Sequence, residues 1–111
     1  MDTKAIPNET AARIARLNDA ARENAVNYMT TRGILSLDPA VVSDIYIAVQ
    51  NFKDFTEDND PYGEHDFGLV TVAGNKVFWK IDYYDKSLGY WCDPLSPDCR
   101  RVLTIMLAEE Y

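Results

Sequence analysis

The stretch that decides the fold is Phe67–Asp85, FGLVTVAGNKVFWKIDYYD, in which two runs rich in β-branched and aromatic residues flank the dipeptide Gly74-Asn75. Such a dipeptide between two strand-like runs is typical of a two-residue β-hairpin turn. With that turn, His65 lies opposite Tyr84 across the two strands. The sequence therefore predicts an antiparallel hairpin as the centre of the fold.

The two faces of this hairpin differ because side chains alternate along a strand. One face is apolar and is predicted to be core: Val70, Val72, Val77, Trp79, Ile81 and Tyr83. The other face is mixed: His65, Phe67, Leu69, Thr71, Phe78, Lys80, Asp82 and Tyr84. Two interpretations of the apolar residues Phe67, Leu69 and Phe78 stay open, a second small core or the seam of a dimer.

Three helices are predicted around the hairpin. The first covers about residues 9–26. Its apolar stripe of Ile14, Leu17, Ala21 and Ala25 is narrow, so its polar residues Asp19 and Arg22 are expected at the surface. The second begins at Asp38-Pro39, a capping carboxylate followed by a proline, and ends near Lys53. The third is predicted over residues 97–110, where apolar residues lie on most sides.

A short strand is predicted over residues 33–37, which gives the order α-β-α-β-β-α. A chain of 111 residues has the length of one domain. The predicted fold class is therefore α+β: a single domain over residues 1–111, with residues 1–7 as a flexible end, in which three helices pack on a small and mainly antiparallel sheet.

The charge of the chain is concentrated in one segment. Eighteen acidic and eleven basic residues give a net charge of −7, and six of the acids lie in residues 54–66, DFTEDNDPYGEHD, which contain no Lys or Arg. An acidic surface repels the phosphate backbone, so we expect no direct binding to nucleic acid. Three interpretations of the segment remain: a cation site, a surface for a basic partner, or a solvated loop held by its own carboxylates.

Cysteine content and hydropathy point to the cytoplasm. Cys92 and Cys99 are the only cysteines, and residues 1–7 carry charges without an apolar secretion signal, so reduced thiols are expected. The longest apolar run, residues 102–108, is far shorter than the about 20 residues of a membrane helix, so no membrane association is predicted.

Three segments resemble a family of small bacterial proteins: FTEDNDPYGEHDFG (55–68), VFWKIDYYD (77–85) and RVLTIMLAEEY (101–111). The stretch at 16–19 is similar as well, whereas residues 26–36 resemble the family least. The family is a domain of unknown function, so the resemblance implies no activity, cofactor or catalytic residue. Its members occur in bacterial, phage and mobile-element genomes, which implies conflict between a host and mobile elements as one setting.

The acidic segment contains candidate ligands for a divalent cation. Asp58, Asp60 and Tyr62 precede a glycine with the spacing that begins an EF-hand loop. Tyr62 is a poor ligand, however, and Leu69 stands where the closing Glu of such a loop belongs. The candidates for a weak cation site are therefore Asp58, Asp60 and Glu64, and otherwise no cofactor is predicted.

His65, the only histidine, is the candidate general base, oriented by Asp82 across the hairpin, with Lys80 placed to polarise an oxyanion. No nucleophile motif or phosphate-binding loop accompanies these residues. The structural interpretation is that His65 hydrogen-bonds the loop. The alternative function is therefore a small divalent-metal-dependent hydrolase that uses His65 and the loop carboxylates.

The leading hypothesis is a non-enzymatic module, an inhibitor or regulatory factor, that binds a basic surface on another protein. The acidic segment supplies charge complementarity, and exposed aromatic residues supply anchors. The residues predicted to contact the partner are Glu57, Asp58, Asp60, Tyr62, Glu64, Asp66, Tyr90 and Trp91.

Overall fold

The structure, a computed structural model, describes residues 5–24 and 27–111, and the side chains from residue 9 onward within these ranges. Residues 1–4, part of the end expected to be flexible, lie outside the described residues, whereas residues 5–7 belong to the first helix. The elements in chain order are α1 (Ala5–Glu23), β1 (Tyr28–Thr30), α2 (Arg32–Leu35), α3 (Pro39–Gln50), β2 (Phe67–Val72), β3 (Asn75–Tyr84), β4 (Arg100–Leu107) and a closing 3₁₀ helix (Ala108–Glu110).

The four strands form one mixed sheet in the order β1-β4-β3-β2. β1 runs parallel to β4, and the other neighbouring strands are antiparallel. The predicted α+β class is confirmed, but the element order differs from the prediction and the sheet has one parallel pair. Among the described residues, no helix combines the length and hydrophobicity that are needed to cross a membrane.

The central hairpin forms with its turn one residue earlier than predicted. Ala73 and Gly74 occupy the turn with φ of 51° and 80°, and Val72 pairs with Asn75. Positive φ at both turn residues is the type I′ geometry, which matches the twist of the strands. The shift moves each cross-strand partner by two positions, so the predicted core face is kept, with these residues buried: Val77, Trp79 and Ile81.

The C-terminal apolar run is a strand, so the predicted helix over residues 97–110 is wrong. β4 lies between β3 and β1, and Val102, Leu103, Ile105 and Met106 are buried. A central strand with apolar residues on both faces loses the alternation that distinguishes a strand from a buried helix. The β-branched residues of the run are the one local signal that favours a strand.

The predicted strand over residues 33–37 is also wrong, because this region forms the short helix α2. The closing Glu110 is part of the reason. Its carboxylate accepts hydrogen bonds from the Thr31 hydroxyl at 2.6 Å and from the Gly33 amide at 3.0 Å. Gly33 and Glu110 are 77 residues apart, so no local pattern contains this contact.

Helix α3 supplies the central helical face of the core, as predicted. Asp38 caps it by accepting a hydrogen bond from the Ala40 amide at 2.9 Å, and proline is the first helical residue. The helix ends at Gln50, before the predicted end at Lys53. It packs on one face of the sheet to form a core of fully or nearly fully buried residues: Ile34, Ile45, Val49, Phe52, Val77, Trp79, Ile81, Leu103 and Ile105.

Helix α1 begins at Ala5, earlier than predicted, and residues 25–26 of the predicted helix lie outside the described residues. The expectation that its polar residues lie at the surface is wrong for Arg22, which is 1% exposed, and Asn18 is also fully buried. Leu17, from the predicted apolar stripe, is 45% exposed instead. The buried side of α1 is therefore partly polar, and its polar residues reach the acidic loop.

Candidate functional site

The segment between α3 and β2 carries the acidic residues and is a hydrogen-bonded loop, residues 54–66, which we call the acidic loop. The Thr56 amide donates to Asn59 Oδ1 at 2.8 Å, and the Asn59 amide donates to Thr56 Oγ1 at 3.3 Å. The Asn59 side-chain amide also donates to the Asp54 carbonyl at 2.7 Å. Such local side-chain to backbone bonds order a loop without a helix or a strand.

Asp60 anchors the second half of the acidic loop. It is 8% exposed, and its Oδ1 accepts hydrogen bonds from the Glu64 and His65 amides, each at 3.2 Å. These bonds hold His65 at φ 56°, a region that costs a residue with a Cβ about 1–2 kcal/mol. Asp60 is therefore an internal anchor, and its burial removes it from the set predicted to contact a partner.

His65 lies between two carboxylates and against an aromatic ring. Its Nδ1 is 2.9 Å from Asp19 Oδ1 on helix α1, and its Nε2 is 3.6 Å from Asp60 Oδ2. The imidazole stacks on the Phe55 ring with centroids 3.7 Å apart and planes only 1° from parallel. The contact with Asp19 ties the acidic loop to α1 across 46 residues of sequence.

The residues predicted to assist His65 are engaged elsewhere. Lys80 Nζ lies 2.7 Å from Asp82 Oδ2, and this hydrogen bond raises the pKa of Lys80. Tyr84, predicted opposite His65, pairs with Arg100 of β4. The predicted pairing of His65 with Asp82 is therefore corrected to a pairing with Asp19, which lies on a different element.

This arrangement resembles an oriented general base, since one ring nitrogen of His65 faces a carboxylate. The other ring nitrogen, however, faces Asp60, so both sides of the ring hold the loop in place. Within the described part of the chain, no group of three or more His, Cys, Asp or Glu side chains is arranged to hold a metal ion. The geometry is that of the structural interpretation of His65, in which the ring contacts groups that order the loop.

Beneath the loop lies a buried hydrogen-bond network centred on Asn18. Its side-chain amide donates to the Glu64 carbonyl and to the Tyr83 hydroxyl, both at 2.9 Å, and its Oδ1 accepts from Arg101 Nε at 2.6 Å. Burial raises the pKa of Tyr83 to about 12, so its hydroxyl stays protonated and able to donate or accept. Asn18 therefore joins α1, the acidic loop, β3 and β4.

Arg22 supports the same region one helical turn further along α1. Its guanidinium donates from Nε to the Val49 carbonyl and from Nη2 to the Phe52 carbonyl, both at 3.0 Å, and from Nη1 to Asp19 at 3.1 Å. The first two carbonyls lie at the C-terminal end of α3, where a cation complements the helix dipole. Arg22 thereby positions Asp19, which in turn holds His65.

Two carboxyls of the acidic loop are partly withdrawn from water. Burial raises the pKa of Glu64, and the nearby Asp66 and Asp60 raise it further. Burial also raises the pKa of Asp66. Since carboxylates crowd together here, a cationic group brought to this surface is favoured by the electrostatics.

The remaining predicted contact residues of the loop are at the surface. Glu57 and Asp58 are exposed, and Tyr62 is 80% exposed. The loop thus presents three exposed carboxylates, those of Asp54, Glu57 and Asp58, and one exposed aromatic ring on a backbone held by internal hydrogen bonds.

Tyr90 and Trp91 lie on a second loop, which follows β3, and are 76% and 70% exposed. This loop is ordered by Asp85, whose Oδ1 accepts from the Ser87 amide at 3.1 Å and from the Ser87 hydroxyl at 2.7 Å. Trp91 forms an isolated bridge with Tyr84 at the end of β3. Near the same end of β3, the Ile81 amide donates to the carbonyl of Asp66, the last residue of the acidic loop. Both loops therefore join the sheet at the end remote from the hairpin turn.

The two thiols lie near this second loop and contribute no further site residue. Cys92 and Cys99 are free and half-buried, and burial raises the pKa of the Cys99 thiol. A raised pKa lowers the thiolate fraction at neutral pH, and with it the reactivity of the thiol.

Sequence reasoning missed the three residues of α1 that support the loop, namely Asn18, Asp19 and Arg22. Two of them could have been recognised by their spacing. Asn18 and Arg22 follow the apolar Ile14 at intervals of four residues, so all three share one face of the helix.

Comparison with known proteins places the chain in a family without assigning an activity. No curated protein and no solved structure matches it. A family model described as Protein of unknown function (DUF3768) matches residues 30–110, which include α2, α3, the acidic loop and all of the antiparallel strands. The chain therefore belongs to the DUF3768 family of proteins of unknown function.

Proposed function

We propose that this chain is a non-enzymatic protein-binding module that presents the acidic loop to a basic surface of another protein. The observation that carries the proposal is the combination of exposed charge with internal order in residues 54–66. Glu57, Asp58 and Tyr62 are exposed at the surface, while Asn59 and Asp60 hold the backbone beneath them. A preordered loop loses little conformational entropy when it binds.

Electrostatics favours a basic partner. The acidic loop carries six acids and no Lys or Arg, and burial together with neighbouring carboxylates raises the pKa values of Glu64 and Asp66, a cost that a nearby cation offsets. Lys or Arg side chains of a partner supply that cation. Complementary charge also accelerates association and discriminates against acidic proteins.

Aromatic residues supply the apolar part of the surface. Tyr62 lies in the acidic loop, and Tyr90 and Trp91 lie on the second loop at the same end of the sheet. Exposed Tyr and Trp are the residues that most often dominate the energy of a protein interface. In a bacterial or mobile-element setting, such a module acts as an inhibitor or regulatory factor of its partner.

The test is a comparison of partner capture from the native host by three forms of the chain. The first is wild type, the second carries Glu57→Gln, Asp58→Asn and Tyr62→Ala, and the third is a matched control. The control removes two exposed acids and one exposed apolar residue from other surfaces, through Glu23→Gln, Asp44→Asn and Leu35→Ala. It therefore has the same net charge as the loop variant.

We expect wild type and the control to retain one basic protein that the loop variant loses. The dissociation constant of that purified complex rises about tenfold or more as salt increases from low to high ionic strength, because exposed charges are screened. Binding that is equal in the loop variant and the control, or unchanged by salt, contradicts the proposal.

A further inference from the structure

β2 forms one edge of the sheet, and its outer side has no strand partner among the described residues. In an antiparallel pair, alternate residues direct their backbone N–H and C=O groups toward the partner strand and away from it. Val72 pairs with Asn75 across the two-residue turn, and the Ile81 amide donates to the Asp66 carbonyl at 2.7 Å. Even-numbered residues of β2 therefore bond to β3, and the intervening residues direct their backbone groups outward: Phe67, Leu69 and Thr71.

No described residue bonds to these outward backbone groups. Natural edge strands are protected by charged residues, proline, bulges or shortness. β2 has the sequence FGLVTV, with none of these residues and no bulge in its register, and it spans six residues. Two of the residues with outward backbone groups also carry apolar side chains that are exposed on one face of the sheet, since Phe67 is 38% and Leu69 is 44% exposed. Neither residue belongs to the main buried core of the protein.

We propose that two copies of this chain associate through β2, antiparallel to each other about a two-fold axis at Leu69. In this register Leu69 faces Leu69 of the second copy, and Phe67 faces Thr71. In each of these pairs, both residues direct their backbone N–H and C=O groups toward the other copy. Every outward backbone group from position 67 to position 71 therefore gains a hydrogen-bond partner. The two sheets become one continuous sheet, and the edge disappears.

The charge distribution is compatible with this register in spite of the acidic composition. Asp66 of one copy lies opposite Val72 of the other, next to the hairpin turn, whose nearest charged residue is Lys76. The two Asp66 residues are about 20 Å apart along the strands, beyond the screening length of about 8 Å at physiological salt. A cleft beside the edge is lined by Lys53, Asp54 and Leu69, among others. The charges of Lys53 and Asp54 cancel, so this cleft has no net charge.

This proposal is independent of the proposed function, because it uses neither the acidic loop nor an external partner. It is tested by the oligomeric state of the purified chain, measured by analytical ultracentrifugation from micromolar to millimolar concentration. We expect a monomer–dimer equilibrium in wild type. A chain that stays monomeric throughout this range overturns the proposal.

Substitutions at the axis test the register. Leu69→Lys and Leu69→Glu each place two like charges against one another, so each raises the dimer dissociation constant by about tenfold or more. A mixture of the two variants restores dimers, because the opposed charges then attract. Leu35→Lys, at a residue 60% exposed on α2, is the matched control and leaves the equilibrium unchanged. Dimers that are unaffected by either Leu69 substitution, or variants that do not associate when mixed, overturn the proposal.

Hydrogen exchange of the wild-type amides tests the same contact without mutation. Protection of the Phe67, Leu69 and Thr71 amides rises with protein concentration if β2 pairs with β2 of a second copy. The Val70 amide, which faces β3, stays protected at every concentration and is the internal reference. Edge amides that exchange at the same rate in dilute and concentrated samples overturn the proposal even if a dimer forms through another surface.

Discussion

Replacement of the buried Arg22 by alanine is expected to destabilise the protein strongly while removing no surface contact. Arg22 is 1% exposed and donates hydrogen bonds to the Val49 and Phe52 carbonyls at the end of α3. The Val49 carbonyl retains a second donor, the Phe52 amide at 3.3 Å, but the Phe52 carbonyl is left without a donor among the described residues. An orphaned buried carbonyl costs about 1–3 kcal/mol.

Packing adds to this loss. The Arg22 guanidinium lies 5.4 Å from the Phe55 ring centroid and 5.0 Å from the Trp79 ring centroid, and such desolvated contacts contribute about 1–2 kcal/mol. The sum is about 3 kcal/mol, which in a chain of this length lowers the melting temperature by about 12 °C.

The assay is thermal unfolding followed by circular dichroism, with Arg16→Ala as the matched control. Arg16 is on the same helix and carries the same charge, but it is exposed, so its replacement changes stability by about 0.5 kcal/mol or less. Arg22→Met, which keeps the apolar stem and removes the donors, is expected to lie between the two. Melting temperatures that are equal in Arg22→Ala and Arg16→Ala would refute the reasoning.

Two further predictions concern the sheet and the acidic loop. A Cβ at Gly68 would lie 2.6 Å from Trp79 Nε1, and the Trp79 indole is fully buried with no room to move aside. Gly68→Ala is therefore expected to lower the free energy of unfolding, measured in urea, by about 1–3 kcal/mol. A loss no larger than that of Gly89→Ala, at an exposed loop position, contradicts this prediction. The pKa of Glu64 is raised in the folded state from its ordinary value of 4.5, so the folded protein binds this proton more tightly and loses stability as pH rises through the folded pKa. Glu64→Gln should therefore melt about 1–2 °C above wild type at neutral pH and equal to it near pH 3, a modest shift because the group is partly solvated; a difference of the same size at both pH values is evidence against it.

The contact between Asp19 and His65 orders the acidic loop up to the start of β2. Arg22 positions Asp19, Asp19 holds His65, and the loop backbone between Asp60 and His65 leads directly into β2. The loop that presents the acidic surface and the strand that carries the free edge are therefore consecutive, yet they face different neighbours. Each can be perturbed separately, through Glu57 and Asp58 for the loop and through Leu69 for the edge.

The sequence predicted best those structural features whose determinants all lie within one short segment of the chain. The Asp38-Pro39 pair predicted the start of α3 because capping and a fixed φ act within one turn. The hairpin was predicted for the same reason, and even its misplaced turn kept the core face, since moving the turn by one residue shifts the partners by two. The charge of the acidic loop is likewise a property of consecutive residues.

Tertiary structure alone decided what depends on distant neighbours. β4 is a strand because β3 and β1 flank it and bury both of its faces, and an apolar run without alternation does not distinguish this environment from that of a buried helix. His65 pairs with Asp19 because α1 packs against the loop, 46 residues away in sequence, and Arg101 reaches Asn18 across 83 residues. Local periodicity and turn chemistry act over a few residues, whereas the partner of a buried polar group is set by which elements pack together. The sequence by itself therefore determined the hairpin, the central helix and the acidic segment, and only the packing of α1 and β4 against them decided which side chains form the site.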